Sequence, residues 1–309
     1  MSIHVEPWAP EYGSPLELDD ELGFDPEDID DEAEVAGHWE PIRRPATPVP
    51  VVAFVDGVRR PDARLALDDG PGAPVPGFCG SYGVGAVLWH TDGAPAEFHH
   101  LSVERIVVCG DGQTIQLPLV GPGLEYRPMS VPGTAPRLLI EAFHNAMRVA
   151  EADLAEDLAR GGYFVVADGP LNRLTPVLQV GMIKSHRTSY LPEARNHIIG
   201  ELDAGERSPI FGIPNYERYS WYLRLADVLG GHSWSGVVRC EVSAAHGIEA
   251  ATNFSNLTTT LLPEAASERH RDARAPQNLV PIAGLERELR RRLGVSPFLQ
   301  RMIIEAVAA

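Results

Sequence analysis

The feature that most limits the fold is a change of hydrophobic period at residues 137–160. Leu138, Leu139, Ala142, Phe143, Ala146, Val149, Ala150, Leu154 and Leu158 recur at helical spacing with charges between them. Pro136 stands at the start and Gly161-Gly162 at the end, the punctuation of a helix. Apolar, strand-like runs lie on both sides. Val51-Val-Ala-Phe-Val55 reads as a buried strand ending at Asp56-Gly57, residues 78–89 as a second strand, and His100–Cys109 as a third before the turn Gly110-Asp-Gly112. After the helix, Tyr163–Ala167 reads as a buried strand ending at Asp168-Gly169, and Val177–Ile183 as another carrying Lys184 at its end. Strands at Ile210–Ile213, Tyr219–Leu225 and Gly236–Val242 follow, then helices at Ile248–Leu262, Ile282–Leu293 and Pro297–Val307.

Short connections predict an antiparallel meander for the first three strands. The helix is then the crossover that brings the fourth strand in parallel beside the first. The expected class is α/β: a mixed sheet with a helical C-terminal part. Val51–Val55 and Tyr163–Ala167 would run side by side, each ending in Asp-Gly at the same sheet edge, where ligands of α/β sheets tend to bind. Asp-Gly is also simply a good turn after a strand, so the signal is the pair and not either aspartate alone.

The crossover helix offers a third carboxylate. From Glu151 to the helix end near Arg160 is about 13–14 Å at the α-helical rise. The returning strand from Tyr163 to Asp168 covers about 16–17 Å. Glu151 and Asp168 therefore come back to nearly the same height, whereas Glu141 overshoots by about 12 Å and Glu156 falls short by about 10 Å. Ala150 and Leu154 beside it are on the apolar stripe, so Glu151 borders the buried face; the competing reading is a helix-surface glutamate. Asp56, Glu151 and Asp168 together would make an oxygen-rich site for Mn²⁺ or Mg²⁺. Hard cations in such a site activate water and stabilise the leaving oxygen in phosphodiester hydrolysis. This strand order and carboxylate placement are those of RNase H-like nucleases.

Charge and cysteine content set the compartment and partners. The net charge of −17 is concentrated in residues 1–40, which hold 14 acidic residues and no Lys or Arg, leaving 26 basic against 29 acidic residues in the remainder. Residues 1–45 are expected to be an acidic, flexible tail and residues 46–309 the folded nuclease body. The body is nearly neutral, so the overall acidity does not argue against a nucleic-acid substrate. The tail's acids are expected either to bind in trans or to compete with the phosphate backbone for basic side chains. Three scattered cysteines exclude a disulfide framework and a CxxC metal knuckle. The longest apolar runs fall far short of the roughly 18 residues a membrane helix needs, and no secretory signal is visible. A cytoplasmic protein with no membrane association is expected.

Several short motifs then line up. Phe54-Val-Asp-Gly57, Val165-Val-Ala-Asp-Gly-Pro-Leu171 and Val180-Gly-Met-Ile-Lys-Ser185 follow one another, succeeded by Tyr219-Ser-Trp-Tyr-Leu-Arg224, Val238-Arg-Cys-Glu-Val242 and Pro276-Gln-Asn-Leu-Val-Pro-Ile282. In order and spacing, across residues 50–300, the sequence resembles the NurA nucleases. The resemblance implies an RNase H-like fold and Mn²⁺-dependent deoxyribonuclease activity, as an exonuclease with single-strand endonuclease activity as a further expectation. It also implies a homodimer that docks on a HerA-type hexameric DNA-translocating ATPase and resects DNA ends in repair. By motif match the metal-binding acids fall on Asp56 and Asp168, and the family's helix glutamate on Glu151. The first motif departs from the family's Asp-Gly-Ser by reading Asp56-Gly57-Val58. Where the family often has a histidine in the C-terminal helix, Glu286 stands nearest, either as a fourth metal ligand or as a surface residue of the run Glu286–Arg292.

The remaining candidates concern nucleic acid. Of 26 basic residues only Lys184 is lysine, either by chance survival or because a compact ammonium is needed there. Lys184 and Arg187 lie just past a strand end and are assigned to phosphates, Lys184 with a catalytic role. Arg59, Tyr222 and Arg224 are taken as nucleic-acid-binding, the tyrosine by stacking on bases, although alternate members of a strand more often enter the core. His90 and His99-His100 lack a third ligand at zinc spacing. No lysine follows Gly80-Ser-Tyr-Gly-Val-Gly85 in Walker position, which argues against nucleotide binding there. A rival reading is a catalytically weakened adaptor on the same fold that regulates an ATPase.

Overall fold

The computed structural model describes residues 2–5 (backbone only), 29–44, 46–47, 49–68, 70, 72–184, 190–229, 233–268, 270–272 and 274–308. Among the described residues, ten strands and five α-helices follow one another. They are β1 (Ser2–Val5), β2 (Val51–Asp68), β3 (Val75–His90), β4 (Glu97–Cys109), β5 (Arg127–Ser130), α1 (Pro136–Arg160), β6 (Phe164–Asp168) and β7 (Gln179–Ile183). Then come α2 (His197–Glu201), β8 (Phe211–Ile213), β9 (Arg218–Arg224), β10 (Val237–Ser243), α3 (Ile248–Ala265), α4 (Val280–Leu293) and α5 (Ser296–Ala308).

The strands form one mixed sheet in the order β5-β4-β3-β2-β6-β7-β10-β9-β8, with β1 paired to the far half of β2. β2, β3 and β4 are an antiparallel meander, and α1 carries the chain over to β6, which runs parallel to β2. This is the RNase H-like order expected from the hydrophobic periods. Its helical part follows the last strand. The expected strand 51–55 is, however, only the first part of β2. It continues through Gly57 to Asp68 because β3 pairs with it along that length, with a bulge between Pro61 and Ala63. Asp56-Gly57 is therefore a step inside a strand and not a turn.

Alternation sorts the long strands into two faces. Val52 and Phe54 of β2, with Phe164 and Val166 of β6, pack with Ala251, Phe254 and Leu261 of α3. Ala53, Val55 and Val165 point the other way, onto Phe143, Met147, Leu154 and Leu158 of α1. Each fully buried aliphatic or aromatic side chain of this kind contributes about 1.5–3 kcal/mol. α1 starts on Pro136, whose missing N–H is harmless in a first turn, and stops where Gly161 N–H bonds to Asp157 O at 2.9 Å. α4 lies on the α3 side, its Leu285 and Leu289 packed on Val58 and Val87.

The acidic tail expected through residue 45 is shortened by the structure, which lays residues 29–44 on the body. Trp39 is fully buried in a cluster with Leu191, Ile198, Ile199 and Phe211. Glu34 takes both ends of the fully buried Arg207 guanidinium at 2.7 and 2.8 Å. The sequence reading weighted the acids and passed over the apolar Trp39 among them. Among the described residues, no helix is long and apolar enough to cross a membrane.

Candidate metal centre

The parallel register decides where the two aspartates meet. Val55 pairs with Ala167, so Asp56 and Asp168 are the next residues along neighbouring strands. Both share the parity of Phe54 and Val166 and project onto the face that carries α4. Glu286, on the first half of α4, comes down onto the same point. Carboxylate oxygens of Asp56, Asp168 and Glu286 all lie within 4.8 Å of one another. Glu286 is thus part of the centre and not of the solvated run behind it; its side chain is 12% exposed.

Glu151 approaches from the opposite face. Its carboxylate lies directly over Gly57, which shares the parity of Val55 and therefore faces α1. A Cβ at residue 57 would stand 3.0 Å from Glu151 Cδ and nearer still to Oε1. Glycine here leaves the Glu151 carboxylate room to approach the strand this closely. The expected trio of Asp56, Glu151 and Asp168 is accordingly rearranged. Glu151 interacts electrostatically with Asp56 and Asp168, but the tightest oxygen group has Glu286 in its place. Height along the strand says nothing about the face from which a side chain comes.

The centre is short of donors. Asp56 Oδ1 accepts the Gly57 N–H at 2.7 Å, whereas Oδ2 is buried and has no hydrogen-bond partner among the described residues. Burial first, then the neighbouring charges of Asp168 and Glu151, push the Asp56 carboxyl well above its ordinary range. Burial, then Asp168, likewise raises Glu151 to about 8, against the opposing pull of Arg148 and Arg59. Arg59 is therefore placed beside Glu151 on the α1 side. It also helps, after burial, to depress His144 to about 4.

Two cations meet the centre. Lys184 Nζ, at the end of β7, donates to Asp168 Oδ2 at 2.6 Å and to Asn278 Oδ1 at 2.8 Å. The ammonium makes this two-way contact as a compact point charge. Arg274 grips Glu286 with two bonds of 2.8 and 3.0 Å. Asp272 holds both partners in place, accepting from Asn278 Nδ2 at 2.6 Å and from the Arg274 backbone N–H at 2.7 Å. The sequence reading missed Arg274 and singled out Asn278 only as part of the segment 276–282. Its position just before a proline-started helix was the available signal.

Two other candidates are displaced. Tyr222 is fully buried, its ring stacked on Phe211 at 5.8 Å and edge-on to Trp234 at 5.4 Å. Arg224 is buried and spent on backbone carbonyls of Leu202, Ile199, Ser233 and Ser235. β9 is an interior strand between β8 and β10, so neither side chain reaches a nucleic acid. Arg187 lies outside the described residues.

No family model matches the chain, and no curated protein matches it. The chain is similar to a solved structure. That structure is the NurA nuclease from Sulfolobus solfataricus, and the match has a TM-score of 0.45 and 12% identity, covering 83% of this chain and 86% of that one.

Proposed function

We propose that the protein is a metal-dependent nuclease that hydrolyses phosphodiester bonds in DNA. The observation that carries this reading is the convergence of Asp56, Asp168 and Glu286 oxygens within 4.8 Å of one another, with a buried Asp56 oxygen left without a donor among the described residues. Burying an unpaired carboxylate oxygen is expensive, and a cation is the partner that would satisfy it. The donor set is all oxygen, which suits Mg²⁺ or Mn²⁺. Asp56, Asp168 and Glu286 would hold the ion, and bound there it supplies Lewis acidity toward a phosphoryl oxygen.

The chain's own residues account for the rest. Lys184 keeps a positive charge at Asp168 Oδ2 and aims it at the same point, where it would steer a phosphate. Glu151, raised to about 8, retains a proton at neutral pH in the cation-free protein, so its carboxyl is placed to hold or release a proton beside the reacting group. Arg59 stands next to it on the α1 side and would meet the flanking backbone. The sequence resemblance to NurA nucleases extends the proposal to a homodimer working with a HerA-type hexameric ATPase in end resection, inside the cytoplasm.

Asp56→Asn and Asp168→Asn are each expected to abolish Mn²⁺-dependent cleavage of linear DNA while circular dichroism shows a folded protein. Undiminished cleavage by both variants removes the reading. A second reading has one observation in its favour: Lys184 and Arg274 already occupy Asp168 and Glu286. On that reading the protein is a silent adaptor that regulates an ATPase. It requires that calorimetry detect no Mn²⁺ binding and that added protein still change the ATPase rate of a HerA-type partner.

A further inference from the structure

A second polar site lies across the sheet from the carboxylates. Trp221 and Leu223 of β9, with Cys240 and Val242 of β10, pack on the α3 face. The alternate residues Arg218, Arg239 and Glu241 therefore point to the α1 face. There a cavity of about 270 Å³ is lined by Arg148 of α1, Leu171 from the loop after β6, Tyr190, Tyr216, Arg218 and Arg239. Glu241 is completely buried beneath it and accepts from Arg218 Nη1, Arg239 Nη1 and Leu171 N, each at 2.8 Å. Arg218 Nη2 donates to Leu171 O at 2.8 Å. The Arg239 guanidinium lies 4.1 Å from the Tyr190 ring centroid, and that of Arg218 lies 5.9 Å from Tyr216. Two guanidinium groups are thus fixed in orientation around a single carboxylate, with a third from Arg148 on the wall.

Three guanidinium groups line the cavity and Glu241 underlies it, with Glu151 a further neighbour of Arg148. Arg218 Nε is buried with no hydrogen-bond partner among the described residues. The cavity also adjoins the candidate metal centre. Arg148 precedes Glu151 by three residues, one turn or about 4.5 Å along α1, and the two charges interact. Pro170 and Leu171 on the cavity wall follow Asp168 in the chain by two and three residues.

We propose that this cavity binds a phosphate group of the nucleic-acid strand that is presented to Asp56, Asp168 and Glu286. Guanidinium forks match phosphate oxygens in pairs, and orientation by stacking and a buried carboxylate reduces the entropy lost on binding. At about 270 Å³ the space is several times the roughly 30 Å³ share of a liquid water, so it admits a phosphate together with part of its sugar. Carboxylates alone repel a polyanion, and this site supplies attraction on the α1 side, one helical turn from Glu151. The proposal rests on the nuclease reading, and its test is separate.

The test measures binding without cleavage. Fluorescence anisotropy with EDTA present follows the full chain binding a labelled single-stranded decanucleotide bearing either a 5′-phosphate or a 5′-hydroxyl. Arg148→Gln is expected to weaken binding by about tenfold or more, the loss of one charged hydrogen bond, and to flatten the slope of log K against log salt by about 0.7. If Arg148→Gln does not fold, Asn172→Asp on the exposed rim of the same cavity replaces it; the added carboxylate should weaken binding several-fold. Weakening confined to the phosphorylated strand assigns a terminal monoester, and equal weakening of both strands assigns an internal diester. Either result supports the site. Unchanged affinity for both strands in the folded variant overturns it, while Mn²⁺-dependent cleavage by Asp56→Asn bears on the metal reading alone.

Discussion

β2 carries two buried aspartates six residues apart, and they are treated in opposite ways. Asp62, at the bulge, is fully buried. Arg60 donates to its Oδ1 from Nε at 3.1 Å and Nη2 at 3.0 Å, and Ser81 and Tyr126 hydroxyls donate to Oδ2, the latter at 2.9 Å. Asp56 is almost as deeply buried, yet it faces other carboxylates and keeps one oxygen unserved. The same side chain on the same strand is a finished structural element at one position and an unfinished one at the other. A carboxylate buried among others of its kind destabilises the fold unless something outside the chain completes it. That contrast, and not burial itself, marks the site.

The comparison can be broken most directly by substitution. Asp56→Asn is expected to lower Mn²⁺-dependent cleavage by more than the ~10–100-fold typical of losing a group that only supports a ligand. In EDTA the same change should raise the melting temperature, because it removes an ionisable group whose charged form the fold disfavours. Asp62→Ala should do the reverse. It takes the carboxylate from two hydroxyls and from Arg60, which keeps the Leu293 and Gly294 carbonyls, and costs about 1–3 kcal/mol in urea unfolding. Equal and same-signed stability changes at the two positions would collapse the distinction.

Gly57→Ala sharpens it next. The new Cβ meets the Glu151 carboxylate, so Glu151 must swing away from the aspartates. Cleavage should fall by about tenfold or more, as for displacement of a supporting group, with the Glu151→Gln variant insensitive to the same change. Equal sensitivity of both backgrounds would show that residue 57 acts by another route.

A smaller effect is read from pH. Asp56 and Glu151 keep their protons above the ordinary carboxylate range in the folded protein, Glu151 to about 8, whereas the unfolded chain releases them near pH 4–4.5. Between those limits the unfolded state binds fewer protons, so cation-free stability falls as pH rises from about 4.5 toward 8. Mn²⁺ must displace the Asp56 proton to bind, so its affinity rises with pH over the same window. Thermal melts at pH 5.5 and 8, each with EDTA and with Mn²⁺, should show a larger metal-induced stabilisation at pH 8; an equal gain at both values contradicts the assignment. The smallest change is expected for Arg274→Ala, which frees Glu286 and should tighten Mn²⁺ binding by a few-fold in calorimetry.

Much of this was legible in the chain. The switch of period at residues 137–160 fixed the crossover, and the two apolar runs before Asp56 and Asp168 fixed their register, since parallel pairing leaves few alternatives. What escaped notice involved choices that no local pattern encodes. The face from which Glu151 arrives depends on the tilt of α1 against the sheet. The arrival of Glu286 depends on how α4 returns after α3, a contact of very large sequence separation. Tyr222 and Arg224 looked available because an aromatic-basic run is common to binding strands and to interior strands whose arginines cap backbone carbonyls. Trp39 was hidden by composition, because one large apolar side chain anchors a segment that its acids describe as free.

Lys184 has a further consequence. It is the chain's single ε-amine, and that amine sits between Asp168 and Asn278. An acylating reagent would find one lysine to modify, at the rim of the carboxylate cluster, so a chemical footprint read by mass spectrometry at this one residue would report directly on whether the cluster is occupied.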